Sequence, residues 1–158
     1  MTLKLIFEKE SFKILGAQIV GYDGVDKRID VIATAIRARL RADELKDLDL
    51  AYAPPYSSAK DPVNMAGFVS ENIKNGVVKQ FYYEDISSLR EREDVILLDT
   101  RTTFEYMRKA ADGFINIPLD DLRERIGELD KTKKIYVMCQ SGLRSYLATR
   151  ILIQNGFE

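Results

Sequence analysis

Between residues 3 and 22 apolar and polar side chains alternate on either side of a polar interruption, first Leu3-Lys4-Leu5-Ile6-Phe7-Glu8 and then Ile14-Leu15-Gly16-Ala17-Gln18-Ile19-Val20. A period of two puts alternate side chains on one face, so the pattern predicts a β-hairpin, with Gly16 and Gly21 accommodating a bulge or a close contact. After Gly24 the period lengthens: Ile29, Ile32, Ala33, Ile36 and Leu40 recur at spacings of three and four, predicting a helix over residues 26–41 with a charged outer face. A short helix over 42–48 follows. In the stretch 50–64 the pair Pro54-Pro55 fixes φ twice and removes two backbone donors, which predicts an extended, rigid loop holding Tyr52 and Tyr56 in defined places. Pro62 opens a helix expected over 62–74, and Asn75-Gly76 ends it.

Beyond residues 76–80 the pattern changes, marking a domain boundary there. Helices are predicted over 84–92, 103–109, 119–129 and 143–154, and strands over 95–99, 114–117 and 134–138. Strands that are apolar throughout, alternating with helices, are the signature of a parallel sheet covered by helices on both faces. The expectation is an α+β domain over residues 1–77 followed by an α/β domain over 78–158.

Composition narrows the function. The chain has 158 residues, 46% of them hydrophobic and 31% charged, and its apolar runs fall far short of the roughly 20 residues of a membrane span. Its first residues lack the basic start, apolar core and cleavage site of a secretory signal, so a cytoplasmic location is expected. The formal charge is −1, with no block of like charge, and nucleic acid is not an expected partner. There is no histidine. That removes Ser-His-Asp and Cys-His arrangements, and no metal site is expected. The single cysteine, Cys139, cannot form an internal disulfide, so its redox chemistry must involve a small molecule, another chain or a bound sulfur atom.

Cys139 stands where a strand meets a helix, the place at which parallel α/β units bind ligands. The short connection Gln140-Ser141-Gly142-Leu143 contains glycine and can turn several N–H groups inward, continuous with the N-terminus of the last helix. Those donors, the helix dipole and the charge of Arg144 would favour a thiolate or persulfide anion. A free cysteine is commonly an inert buried filler. The compound pattern of strand, Cys-Gln-Ser-Gly-Leu-Arg and helix favours a reactive thiol instead. Asp99 and Arg101 at the end of an earlier strand read as supporting residues, more as an ion pair anchoring loops than as catalytic charges.

On these residues the chain from about 78 to 158 resembles the single-domain rhodanese family, in which a Cys-x-x-Gly-x-Arg loop follows a central strand. Leu98-Asp99-Thr100-Arg101, Glu105 and Ile115-Asn116-Ile117-Pro118-Leu119 also match. The resemblance implies a catalytic Cys139 that carries sulfane sulfur, Arg144 beside it, and an active-site loop of Gln140, Ser141, Gly142, Leu143 and Ser145. Four residues separate Cys139 from Arg144, against five in the related phosphatase and arsenate-reductase loops, and the shorter loop suits sulfur. Ala111-Asp112-Gly113-Phe114 stands where the family commonly has a histidine-containing segment, with little catalytic consequence expected. The family continues past the position of Glu158, so a C-terminally truncated domain is expected.

Residues 3–76 resemble the C-terminal dimerisation domain of the pyridine nucleotide-disulfide oxidoreductases, in the coenzyme A-disulfide reductase and NADH oxidase branch. Ile14-Leu15-Gly16-Ala17-Gln18, Asp26-Lys27-Arg28-Ile29-Asp30-Val31-Ile32-Ala33 and the 52–64 segment carry the likeness. It implies a homodimer through residues 1–77 in which Tyr56, or else Tyr52, reaches the partner's flavin and substrate site. No Gly-x-Gly-x-x-Gly follows a strand and no second cysteine exists, so the FAD and NAD(P)H sites of such a parent enzyme are not expected in this chain. The combined implication is sulfur transfer through a Cys139 persulfide, within an FAD- and NAD(P)H-dependent coenzyme A-disulfide or persulfide/polysulfide reductase. Its partners would be small sulfur donors and thiols, including coenzyme A. The alternative is a non-catalytic rhodanese-like binding or regulatory module on a dimerisation platform.

Overall fold

The computed structural model describes residues 1–158, which form two compact units, Met1–Val77 and Val78–Glu158. In the first, β1 (Thr2–Phe7) and β2 (Ile14–Val20) pair antiparallel. Leu3, Leu5 and Phe7 face the core from β1. On β2 the inward positions change parity, from Ile14 to Ala17 and Ile19, and the register explains how. Ile6 pairs with Gly16 and Phe7 with Ile14, leaving Leu15 as the extra residue of a bulge. A one-residue insertion of this kind keeps both ends of a strand facing the same core. The bulge falls beside Gly16, with the exposed Leu15 as the inserted residue, and Gly21 is in close contact with Met1, where an added Cβ would lie 3.0 Å from the Met1 Cα.

Helix α1 (Val25–Arg37) buries Arg28, Ile32 and Ala35. It ends four residues before the 41 expected. Arg39 adopts φ 59°, and the Leu40 amide reaches back to the Ala35 carbonyl at 3.0 Å, the bond that closes a Schellman-type helix end. A short 3₁₀ helix at Ala42–Asp47 follows. Over the double proline the chain is a turn rather than an extended loop, with the Tyr56 and Ser57 amides both donating to the Ala53 carbonyl. Helix α2 (Pro62–Lys74) starts at proline because Asp61 caps it, accepting from the Val63 amide at 3.0 Å. The other carboxylate oxygen of Asp61 holds Arg28 at 3.0 Å, a buried pair that ties the loop to α1. Asn64 on α2 donates to the carbonyls of Leu45 and Leu48, satisfying the end of the 3₁₀ helix. Gly67 lets the two elements approach this closely, since an added Cβ would lie 2.2 Å from the Lys46 backbone nitrogen.

The second unit opens with a 3₁₀ turn at Tyr83–Asp85 and the short α3 (Ile86–Arg90), in place of one helix over 84–92. Then come β3 (Val95–Asp99), α4 (Thr103–Arg108), β4 (Ile115–Asn116), α5 (Leu122–Arg125), a 3₁₀ turn at Ile126–Glu128, β5 (Lys134–Met138) and α6 (Leu143–Gln154). The sheet is parallel, in the order β4-β3-β5. Alternate residues of its strands feed two cores. Ile96, Leu98, Ile135 and Val137 pack with Leu122 of α5 and with Ala148, Ile151 and Leu152 of α6. Val95, Leu97, Tyr136 and Met138 pack with Leu89 of α3 and with Phe114. Both faces are thus covered.

Three expectations need correction here. The strand over 114–117 shrinks to two paired residues: the Ile117 amide makes the last ladder bond, to the Asp99 carbonyl, and Pro118 follows with no amide to donate. The helix over 119–129 is one short turn of α5 and a 3₁₀ turn; Leu122, Ile126 and Leu129 still reach the core because a 3₁₀ turn aligns residues three apart. The strand over 134–138 is half-buried rather than buried, since only β3 is flanked by strands on both sides.

Replacing Gly67 by Ala forces a methyl into backbone that cannot rotate away. The expected cost is about 1–3 kcal/mol, read as a lowered urea midpoint for the first unit with the second unit's transition unmoved.

Candidate active site

The carboxyl ends of β3 and β5 lie level, Asp99 paired with Met138, and Thr100 locks them there. Its amide and its hydroxyl both donate to the Met138 carbonyl, each at 3.0 Å. Cys139 therefore emerges beside the Asp99-Thr100-Arg101 turn. That turn is braced from within. Asp99 is fully buried, and its carboxylate accepts from the Arg101 amide and from Nε and Nη2 of the Arg101 guanidinium, at 2.6–3.0 Å. Arg101 also donates to the Lys109 carbonyl, and Asn116 donates to the carbonyls of Asp99 and Arg101. Asp99 and Arg101 meet each other, and neither is bonded to the sulfur.

The Cys139 side chain is half-buried at the mouth of its loop. Gly142, at φ 101°, turns its amide back to Sγ at 3.1 Å. As a thiol, Sγ lies 3.5 Å from Ser145 Oγ, whose own proton goes to the Gly142 carbonyl at 2.9 Å. On ionisation that hydroxyl has a second acceptor in the sulfur. Burial pushes the Cys139 thiol up. The Ser145 hydroxyl and the amides of Ser145, Ser141 and Gly142 pull it down by more, and the net position is below that of an ordinary thiol. The loop sits on the first turn of α6, whose unpaired N–H groups add to the same field.

Arg144 points elsewhere. Its Nη1 and Nη2 donate to the two oxygens of Glu105, at 2.6 and 2.8 Å. Glu105 is itself held by Thr102 in a capping box that starts α4: the Thr102 amide and hydroxyl donate to Oε2, and the Glu105 amide donates to the Thr102 hydroxyl. The Arg144 guanidinium, with the Thr102 donors, holds the Glu105 carboxyl far below the usual carboxylate range, and Glu105 raises Arg144 in return. Glu105 had been noted as a match without a role. Its role as the partner of Arg144 joins positions 39 apart, and no local pattern announces that.

Gln140, Ser141 and Leu143 are exposed around the sulfur. Tyr52 and Tyr56 lie in the first unit, 53% and 84% exposed, with their rings presented to solvent. No helix is long and apolar enough to cross a membrane.

Residues 83–158 match the family described as the rhodanese-like domain, and residues 1–63 match the dimerisation domain of the pyridine nucleotide-disulphide oxidoreductases. The chain thus joins a dimerisation domain of that class to a rhodanese-like domain. Its relatives include proteins named coenzyme A disulfide reductase and a NAD-dependent persulfide reductase. The coenzyme A disulfide reductase of Staphylococcus aureus (strain bovine RF122 / ET3-1) is 47% identical over 66 residues, which are 42% of this chain and 15% of that protein. The reduced CoADR-RHD of Bacillus anthracis is 51% identical with a TM-score of 0.94, over 99% of this chain and 28% of that one. A NAD-dependent persulfide reductase from A. fulgidus is 46% identical with a TM-score of 0.83, over 99% of this chain and 27% of that one. The chain accordingly spans well under a third of the length of these relatives.

The Cys139 thiol should alkylate with iodoacetamide along a pH profile whose midpoint lies below the ordinary value of about 8.5. Ser145→Ala removes the largest of the groups lowering it, so its midpoint should move to higher pH; an unchanged profile would show that the hydroxyl does not reach the thiolate.

Proposed function

We propose that Cys139 accepts a sulfane sulfur and carries it as a persulfide, within a reductase that acts on coenzyme A disulfide, persulfide or polysulfide. The thiolate attacks the outer sulfur of a donor persulfide; a new S–S bond forms at Cys139, the donor's S–S bond breaks, and the donor leaves as its thiolate. The transferred sulfur ionises to Cys139–S–S⁻ and releases its proton to water. A second thiolate, such as that of coenzyme A, then attacks the outer sulfur, takes it and regenerates the Cys139 thiolate. Neither step needs an oxidant or a reductant.

The observation that carries this reading is the Gly142 amide turned onto Sγ at 3.1 Å, with the Ser145 hydroxyl 3.5 Å away at the start of α6. It suits an anion on sulfur before and after the transfer, and there is no histidine to protonate the terminal atom. The four-residue spacing to Arg144 supports sulfur over a tetrahedral oxyanion. Asp99 and Arg101 act by holding the neighbouring turn. In this reading residues 1–77 are the dimer-forming part and Tyr56, or else Tyr52, both exposed, is the residue that enters a partner's site.

No strand of this chain runs into a Gly-x-Gly-x-x-Gly connection of the kind that holds a dinucleotide. The two strands of the first unit form an antiparallel hairpin, and the β3–α4 connection, Thr100-Arg101-Thr102, has no glycine to admit a pyrophosphate. No step is drawn through FAD or NAD(P)H.

Incubation with thiosulfate or polysulfide should add the mass of one sulfur atom to the wild type and none to Cys139→Ala. Equal addition to both, or to neither, would refute the transfer.

A further inference from the structure

Within the loop 139–145 there is one charged side chain, Arg144, and both its terminal nitrogens are taken by Glu105. The charged groups from the neighbouring elements are Glu105 on α4 and the Asp99–Arg101 pair at the end of β3, and all of them act electrostatically on one another. They are two cations and two carboxylates, joined in two pairs. The sulfur is therefore met by neutral donors, and the one cation that acts on it, Arg144, is paired with Glu105. This is unusual for an anion site next to an arginine, because a free guanidinium is the group best matched to a multiply charged oxyanion.

We propose that Glu105 is the specificity-determining positioning residue of this site. By engaging both arms of Arg144 it cancels the loop's cation and holds the guanidinium aside, so the cradle at Cys139 takes a singly charged sulfur anion and rejects a doubly charged oxyanion such as phosphate. The capping box makes the arrangement rigid. Thr102 fixes Glu105 from the amide and the hydroxyl before Arg144 arrives, so the carboxylate does not swing to follow the arginine toward a ligand. The side chains of Arg144 and Glu105 are 29% and 33% exposed, near enough to solvent that an incoming oxyanion could compete for the guanidinium if Glu105 were neutral. The inference rests on the sulfur-transfer reading of Cys139 and names the group that restricts it.

A charge cycle on the full 158-residue chain tests this, using Glu105→Gln, Arg144→Gln and the double variant. Each is alkylated with iodoacetamide as a function of pH, with and without inorganic phosphate. In Glu105→Gln the uncancelled guanidinium should lower the Cys139 midpoint by about one unit, and phosphate should slow alkylation at concentrations that leave the wild type unaffected. In Arg144→Gln the uncancelled carboxylate should raise the midpoint. The double variant, neutral again, should return toward the wild type and lose the sensitivity to phosphate. A purely structural role predicts otherwise: any loss of the loop removes amide donors and raises the midpoint in all three variants. A midpoint in Glu105→Gln that stays or rises, phosphate without effect on it, or a double variant that keeps the shift overturns the proposal. A wild type that takes up no sulfur would defeat the transfer reading while leaving the outcome of this cycle readable.

Discussion

The site depends on one constraint, the level ending of β3 and β5. Parallel pairing fixes Asp99 against Met138, and Thr100 clamps the Met138 carbonyl with two donors. Cys139 is the next residue, so its position is set by sheet register rather than by the loop. A slip of one residue would turn Cys139 to the other face of the sheet and leave the Gly142 amide without its acceptor. The buried Asp99–Arg101 pair serves the same constraint from the other strand. Removed from water, it is held by four bonds within itself and by further ones to Lys109 and Asn116, so the turn next to the cysteine has one arrangement.

On that frame, anion stabilisation comes from backbone amides and a hydroxyl, and the formal charges are kept in pairs to one side. Amide dipoles act over short range and are fixed by the fold, so they favour an ion at a single point. A free side-chain charge would act more broadly and draw in any anion. The first unit uses buried charge differently: Arg28 and Asp61 tie the loop over Ala53–Ser57 to α1 while Asp61 caps α2.

What the sequence disclosed followed from how local each signal was. The bounds of α2, α6, β3 and β5 were legible because Pro62, Gly142 and unbroken apolar runs mark them within a few residues. The end of α1 was concealed. A left-handed residue usually announces itself as glycine or asparagine, and here it is Arg39, followed by Leu40 at a spacing that still looks helical. The 119–129 segment misled for a related reason, since a stripe of apolar residues three and four apart is met equally by a succession of short turns. At the site, the cradle around Cys139 could be read from Gly142 and the adjoining helix. The company Arg144 keeps could not, because tertiary packing brings α4 to α6 and no periodicity encodes it.

Gly142 carries a consequence for how the site can change over time. Its φ of 101° is one that a side chain would strain, and the space beyond its Cα is open, with nothing within 4 Å of where a Cβ would stand. A side chain at this position would bend the amide away from its target, although it would meet no steric contact. The position is thus constrained by backbone conformation alone, and no repacking of its neighbours would make room for what the φ angle refuses.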